Sequence, residues 1–443
     1  MTTTRNPTAQ DRSAETAVGS VFVSNYPPYG VWQRDMVSEA QEALQVPPVA
    51  GATLGLYLHI PFCRLRCKFC YFKVYTDKDS GQVAQYLKAL AHEVELYSAL
   101  PAVAGRHLKF VYFGGGTPSF ISSRQLRSLV DRLKAAIAWK GVEEISFECE
   151  PGTLTRSKLE TIRDVGVTRL SLGVEHFDDG ILKENGRAHL SAEIDRCMPW
   201  IAAAGFEQLN IDLIAGMVGE TWETWREAVA RTIDLDPDSV TIYQMELPYN
   251  TVYSRDLLGG AMRQPVASWE LKRAWHDYAI DAMSAAGYEI NSAYTMVKKG
   301  TQRPFVYRNA VWHGTDMIGA GVASFSHMSG VHFQNVSEWG PYLEGVRDGH
   351  LPLERAFRTS RDEQLVRELI LQLKLGRITG DYFHDKFQVD IFETFRAAFD
   401  RLEKRRMLRR TQGAVELSRT GLLQIDSLLP EFYAEQYRTA RYT

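Results

Sequence analysis

Between residues 55 and 245 the chain repeats one pattern, a short apolar run of strand character followed by a longer run with a helical period. The strand runs fall at 55–60, 108–113, 144–149, 168–174, 208–214 and 239–245. In the first helical stretch Val83, Leu87, Leu90 and Val94 share a face, and Leu126, Leu129, Leu133 and Ile137 do so in the next, which Ser122 or Ser123 can cap. Gly166 and Gly205 stand where helices end just before a strand. Strict β-α alternation implies a parallel sheet with right-handed crossovers, either doubly wound or curved into a barrel. A full eight-unit barrel needs two more pairs, and the sequence after residue 290 becomes irregular. The expected fold is therefore α/β, a partial (β/α)6 barrel of TIM type.

Flanking segments divide the chain of 443 residues further. Residues 1–18 have few large apolar groups and read as a flexible leader. Residues 19–54 carry Tyr26, Pro27, Pro28, Tyr29 and Trp32, a stiff aromatic strap expected to pack on the main unit. The barrel with its closing segments takes 55–355, and the Gly- and Ser-rich stretch from Ile318 is expected to close one mouth. From 356 to 443 the helices are dense in Leu and Arg, which suggests a small, mostly helical, winged-helix-like domain.

Charge excludes some functions. Lys and Arg total 51 against 54 Asp and Glu, a net charge of −3, so no long-range pull on nucleic acid or anionic lipid is expected. The basic stretch RLEKRRMLRR near residue 405 is read as a solvated helix face rather than a DNA-binding surface. No apolar run of ~18 residues spans a bilayer, and the N-terminus lacks the apolar core of a secretory signal. A cytoplasmic monomer without membrane or nucleic-acid partners is expected.

The five cysteines are Cys63, Cys67, Cys70, Cys149 and Cys197. Three fall within eight residues in the run from Tyr57 to Cys70, on the loop after the first strand. An odd count with such crowding argues for thiol ligation of a metal rather than a disulfide scaffold. Structural zinc normally takes four protein ligands, and no fourth lies at a conventional spacing, since His59 belongs to the strand. Three thiolates without a fourth suit an iron-sulfur cluster with one iron open to an exogenous ligand. Cys149 adjoins Glu148 on a strand and so points to the opposite face, and Cys197 lies in an apolar helical stretch; both are read as core.

This spacing, on the loop after the first strand of a β/α barrel, resembles the radical S-adenosylmethionine (SAM) enzymes. The resemblance runs over about residues 20 to 430 through YLHIPFC, FGGGTP, SFECEPG, TRLSLGVEHF, Arg187 and NIDLIAGM, in the order of the HemN-like branch. It implies a 4Fe-4S cluster on Cys63, Cys67 and Cys70, two molecules of SAM, and an external one-electron reductant of flavodoxin or ferredoxin type. Tyr57, Phe69, Gly115, Glu148 and, more distantly, Phe325 resemble contacts to the first SAM. Gly116, Thr117, Glu175, Arg187, Asp212 and Met245 resemble contacts to the second.

Physical reasoning supports several of these. The glycines of FGGGTP allow a ligand close to the backbone. Glu148 at a strand end can accept from a ligand ammonium. Asp212 inside the apolar run NIDLIAG needs a partner, and a ribose diol or Arg187 would supply one.

Four departures shape the functional expectation. Cys70 is followed by Tyr71-Phe72-Lys73 rather than another cysteine, and Glu175 stands where the founding enzyme of the branch, a coproporphyrinogen III dehydrogenase, usually has glutamine. Tyr307-Arg308-Asn309-Ala310-Val311-Trp312 replaces the His-Asn of haem-chaperone relatives. The strap and the Cys-Tyr-Phe-Lys run look like class C methyltransferases and cyclopropanases. Together they lead to the expectation of one-carbon transfer, as C-methylation or cyclopropanation, to an sp2 carbon of an unsaturated small molecule. Oxygen-independent coproporphyrinogen oxidative decarboxylation and non-catalytic haem trafficking are the alternatives. Candidate catalytic residues are Glu175, Tyr71 and His176, with Tyr75 a further proton-handling candidate. Tyr253, Tyr294 and Tyr307 are expected to form an aromatic wall.

Overall fold

The computed structural model describes residues 15–20, 22–301 and 303–440. It contains the six expected strands: β1 Leu54–Ile60, β2 Leu108–Gly115, β3 Glu144–Cys149, β4 Arg169–Glu175, β5 Gln208–Ala215 and β6 Ser239–Gln244. Each pairs in parallel with the next, and helices fill every crossover. The local signals act as anticipated: Ser122 caps the helix Ser123–Ala136 through a capping box, and Gly205 closes the helix Ser191–Ala204 in a left-handed conformation. Cys149 and Cys197 are buried and unpaired.

Beyond β6 the sheet continues through a hairpin of β7 Tyr288–Ile290 and β8 Thr295–Lys298, with β8 antiparallel to β6. On the other side, β9 Asp316–Ala320 lies parallel to β1, followed by β10 Phe325–Met328, β11 Val331–Asn335 and β12 Leu353–Arg358 in antiparallel succession. The result is a twelve-stranded sheet in the order β12-β11-β10-β9-β1-β2-β3-β4-β5-β6-β8-β7. The stretch from Ile318 therefore does not close a mouth but extends the sheet, because Ile318 and Ala320 bury their side chains completely beside β1. This edge is tied to the helix Ser80–Ser98 by the buried Glu93, which accepts from Tyr342 Oη (2.7 Å), Gly321 N (2.8 Å) and Asn335 Nδ2 (2.6 Å).

The C-terminal region packs the helix Arg361–Leu373 against a small antiparallel sheet of β13 Arg377–Thr379, β14 Leu408–Thr411 and β15 Ala414–Leu417, in the order β13-β15-β14. Four arginines of its basic stretch are neutralised locally: Arg401 and Arg405 pair with Glu431, Arg409 with Glu416, and Arg410 with Asp400 and Glu403. The expected leader lies outside the described residues as far as residue 14. The strap runs between barrel and C-terminal region. Gly19 N donates to Leu247 O (2.8 Å) and Val23 N to Asp426 Oδ1 (2.9 Å), and Tyr26 is fully buried in the C-terminal core. Among the described residues no helix is long and apolar enough to cross a membrane.

Candidate active site

The C-terminal ends of β1 to β6 form one mouth, and the cysteine loop crosses it directly after β1. The loop is anchored on three sides. Cys63 N donates to Tyr75 O (3.1 Å), Lys68 N to Asn185 O (3.0 Å), and Tyr253 N to Lys68 O (3.1 Å). Arg64 forks onto Glu150 through Nε (3.2 Å) and Nη2 (2.9 Å). Burial alone would raise the Glu150 carboxyl, but bonds from His189 and Arg64 outweigh it and hold Glu150 down at about 2.

Two donors aim at sulfur. Thr117 Oγ1 reaches Cys63 Sγ and Arg187 Nη1 reaches Cys67 Sγ, each at 3.4 Å. Burial pushes the Cys63 thiol up to about 11 and the Cys70 thiol up to about 12, so ionised sulfur here needs a cationic partner such as iron. Among the described residues no three His, Cys, Asp or Glu converge on a single-ion position. Three thiols on one short loop, with no fourth protein ligand among the described residues brought to them, match the three-thiolate ligation of a cluster with one open iron.

The glycine turn after β2 serves the loop first. Gly115 has φ +110°, and a Cβ there would stand 2.5 Å from the His59 ring. At Gly116 a Cβ would meet the backbone of residues 60–62 at 2.9–3.0 Å. The missing side chains are thus filled by the chain itself, which corrects the expectation that they leave room for a ligand. Gly115 N instead donates to Glu148 Oε2 (3.2 Å), and Tyr112 Oη donates to Glu148 Oε1 (2.7 Å). Tyr112 also stacks between Tyr57 (centroids 5.8 Å) and Tyr307 (4.2 Å), so the wall beside Glu148 is aromatic.

Across the mouth, Glu175 sits in a β-bulge with φ +65°, a conformation that costs a side-chain-bearing residue about 1–3 kcal/mol and here re-aims its carboxylate at the end of β4. Arg187 Nη1 lies 3.5 Å from Glu175 Oε1, and Nη2 donates to Gly173 O (2.6 Å). Burial works against the Arg187 charge, but Cys67 and Glu175 more than offset it and raise its pKa. Its buried Nε has no partner among the described residues. Burial pushes both Glu148 and Glu175 up to about 7, with Tyr112 pulling Glu148 back and Arg187 pulling Glu175 back.

Asp212 is satisfied without Arg187 or a ribose. Ser171 Oγ (2.8 Å) and Asn210 Nδ2 (2.9 Å) donate to it, because β4 and β5 in register place these residues on the same face. Met245 is buried in an apolar cluster with Ile214, Met217 and Tyr253, and Phe69 packs on that cluster. Phe325 meets Tyr29 of the strap (4.2 Å).

Of the catalytic candidates, Glu175 lines the mouth and Tyr71 stands exposed beside it, its ring 4.5 Å from Phe72. His176 does not join them. Its Nδ1 accepts from Asp178 N (2.9 Å) and its Nε2 faces the buried Glu220 at 3.3 Å, a structural pair behind the sheet. Tyr75 packs against Trp339 (5.0 Å). Tyr253 is likewise no wall residue: it is buried under the cysteine loop with Oη on Asn185 (2.9 Å). Tyr294 bonds Asp426 through Oη (2.5 Å) and meets Phe22 (4.8 Å), while Tyr243, exposed at the end of β6, stacks on it at 6.3 Å. Tyr112, Tyr243 and Glu150 went unread in the sequence, although the i, i+2 alternation through Tyr112 and Gly114 marks Tyr112 as facing with the turn.

Residues 57–231 match the family model described as the Radical SAM superfamily. The heme chaperone HemW of Bacillus subtilis is 25% identical over 381 residues, 86% of this chain and 99% of its own length. The oxygen-independent coproporphyrinogen III oxidase of Synechocystis is 25% identical over 434 residues, 92% of this chain and 91% of its own. The solved coproporphyrinogen III oxidase HemN of Escherichia coli superposes with a TM-score of 0.80 at 23% identity, covering 93% of this chain and 96% of that one. Relatives of these two kinds, matched along most of their length, overturn the expectation of class C methyl transfer or cyclopropanation, which rested on the short strap and Cys-Tyr-Phe-Lys runs. The frame, the cysteine loop and these matches give the chain a radical SAM domain at residues 57–231 and the fold of HemN, with similarity to HemN and HemW proteins along most of its length; a radical SAM domain implies a 4Fe-4S cluster and SAM.

Proposed function

We propose that the protein catalyses oxygen-independent oxidative decarboxylation of a porphyrinogen propionate side chain. The observation that carries this reading is similarity over almost the whole chain to proteins named coproporphyrinogen III oxidase, with strap, barrel and C-terminal region all included. When bound, the cluster and SAM supply an organic radical that abstracts hydrogen. Converting a propionate to a vinyl group releases carbon dioxide, one hydrogen atom and one electron, the last passing to an external acceptor. Cys63, Cys67 and Cys70 would hold the cluster. Tyr57, Phe69 and Glu148 would position one SAM, and Glu175, Arg187 and Asp212 a second.

The contribution of this chain is placement and water exclusion. Arg187, fixed to Cys67 and Glu175, ties the cysteine loop to the far side of the mouth. Haem trafficking has less support: Tyr307 stacks on Tyr112, and His313, the nearby histidine, is occupied with Asn309 O (2.7 Å) and the Tyr382 ring.

Anaerobic incubation of the iron-reconstituted protein with coproporphyrinogen III, SAM and dithionite tests the proposal. Carbon dioxide with a vinyl-bearing product is expected. Stoichiometric haem binding without carbon dioxide release would overturn it. Equilibrium dialysis with labelled SAM should give two molecules per chain, and one per chain would remove the second site.

A further inference from the structure

We propose that Tyr243 is a substrate-binding residue whose hydroxyl donates to a propionate carboxylate of the porphyrinogen. This rests on the decarboxylase reading and adds to it a contact that neither cofactor provides. Glu148, Glu175 and Asp212 line the mouth as buried carboxyls, and Arg187 is engaged with Cys67, Glu175 and Gly173. A substrate carboxylate entering there needs a donor. A phenol supplies one without bringing a charge that the neighbouring carboxyls would bind instead.

Strand β6 aims Tyr243 into the mouth. Thr241 Oγ1 donates to Asn210 (3.1 Å), which also holds Asp212, so Tyr243, two residues on, faces the same way. Gln244 turns instead to the helix Trp269–Ala285, donating to His276 Nδ1 (3.2 Å) and to Leu423 O (2.8 Å). Tyr243 is 41% exposed, yet burial pushes its hydroxyl well above the usual phenol range, with Asp212, Glu148, Tyr71 and Glu175 pushing the same way. A side chain open to solvent but surrounded by protein lines a recess, and its hydroxyl stays protonated at any working pH. Among the described residues no group hydrogen-bonds that hydroxyl.

The ring is backed by Tyr294 (6.3 Å, stacked) and edge-on by Phe22 (6.2 Å). Tyr294 is fixed at both ends: its carbonyl accepts from Ile242 N (2.7 Å), and its hydroxyl donates to Asp426 Oδ2 (2.5 Å). Strap, barrel and C-terminal region thus hold one ring in place. Tyr71, the other exposed phenol beside the mouth, has its ring against Phe72, itself 46% exposed, and no further ring contact among the described residues.

Calorimetry of coproporphyrinogen III binding to the reconstituted, SAM-loaded protein, without oxygen or reductant, tests this apart from turnover. Tyr243→Phe keeps the ring and removes the donor, and should weaken binding about tenfold. Tyr294→Phe, which frees the backing ring from Asp426, should weaken it about threefold, and by less once Tyr243→Phe is present. Tyr278→Phe, on the outer helix against Trp222, should bind within twofold of the unsubstituted protein. Dialysis should give Tyr243→Phe an unchanged affinity for SAM. Tyr243→Phe within twofold of the unsubstituted protein, an equal loss in Tyr278→Phe, full additivity of the Tyr243 and Tyr294 changes, or a matching loss of SAM affinity would each overturn the proposal alone. No porphyrinogen binding by the unsubstituted protein would remove the substrate reading and the proposal with it.

Discussion

Replacing Glu148 with glutamine should stabilise the cofactor-free protein at pH 8 while weakening its hold on SAM. Burial pushes the Glu148 carboxyl from 4.5 up to about 7. The folded state therefore keeps a proton that the unfolded chain has released between these values. A state that holds more protons is progressively disfavoured as pH rises, so Glu148 erodes stability from pH 4.5 to about 7 and the deficit is constant above. The full gap corresponds to about 3 kcal/mol. Glu148 is only half-buried, and glutamine cannot accept equally well from both Tyr112 and Gly115, so the expected gain is about 1–2 kcal/mol at pH 8.

Near pH 4.5, where both forms of residue 148 are neutral, the gain should vanish or reverse. Urea unfolding of iron-free protein, followed by the fluorescence of its nine tryptophans, measures this at both pH values. A Glu148→Gln difference that does not change with pH, or a loss of stability at pH 8, would show that burial is not what sets this carboxyl.

Gly115→Ala should cost about 2–3 kcal/mol and lower iron incorporation, since it combines φ +110° with a His59 clash; Gly141→Ala, at φ +85° in open space, should cost about 1 kcal/mol, and unfolding midpoints with iron analysis separate the two. Alanine at Cys63, Cys67 or Cys70 should abolish the cluster's visible absorbance, whereas alanine at Cys149 or Cys197 should retain it. Lys374→Met should destabilise by about 3–5 kcal/mol, because Lys374 is fully buried on Asp426 (2.8 Å); the double change with Asp426→Leu should recover only part of this in a double-mutant cycle, since Val23 N and Tyr294 Oη then lose their acceptor. Arg187→Lys keeps the charge but not the fork that joins Cys67, Glu175 and Gly173, so SAM affinity measured by dialysis should fall about tenfold or more.

The parts of this molecule that were legible from sequence are those where local chemistry decides. Apolar runs placed β1 to β6, and Ser122 and Gly205 marked helix ends, because strand burial and capping are short-range. What escaped depends on register. Asp212 finds Ser171 only because β4 and β5 align, and no spacing along the chain announces it. Strand β9 was missed since five residues containing a glycine carry little pattern, and its pairing with β1 spans the whole barrel. The bulge at Glu175 has no composition signal, yet it sets where that carboxylate points. His176, one residue past the end of β4, escaped for the same reason: its partner Glu220 follows β5 and no spacing along the chain announces the pair.

The charge layout connects these pieces. Glu148, Glu175 and Asp212 face one mouth, and burial raises all three carboxyls. Arg187 is committed to Glu175 and Cys67, so it cannot balance the others. Carboxyls whose pKa values burial has raised form a poor site for an anion but a responsive one for a cation, since an ammonium or sulfonium entering the mouth favours their ionised forms. A cation bound there would recruit charge that burial otherwise suppresses. Arg187, reaching both Cys67 and Glu175, is where the cysteine loop and the carboxylates of the mouth meet, so any change of charge at one is felt at the other.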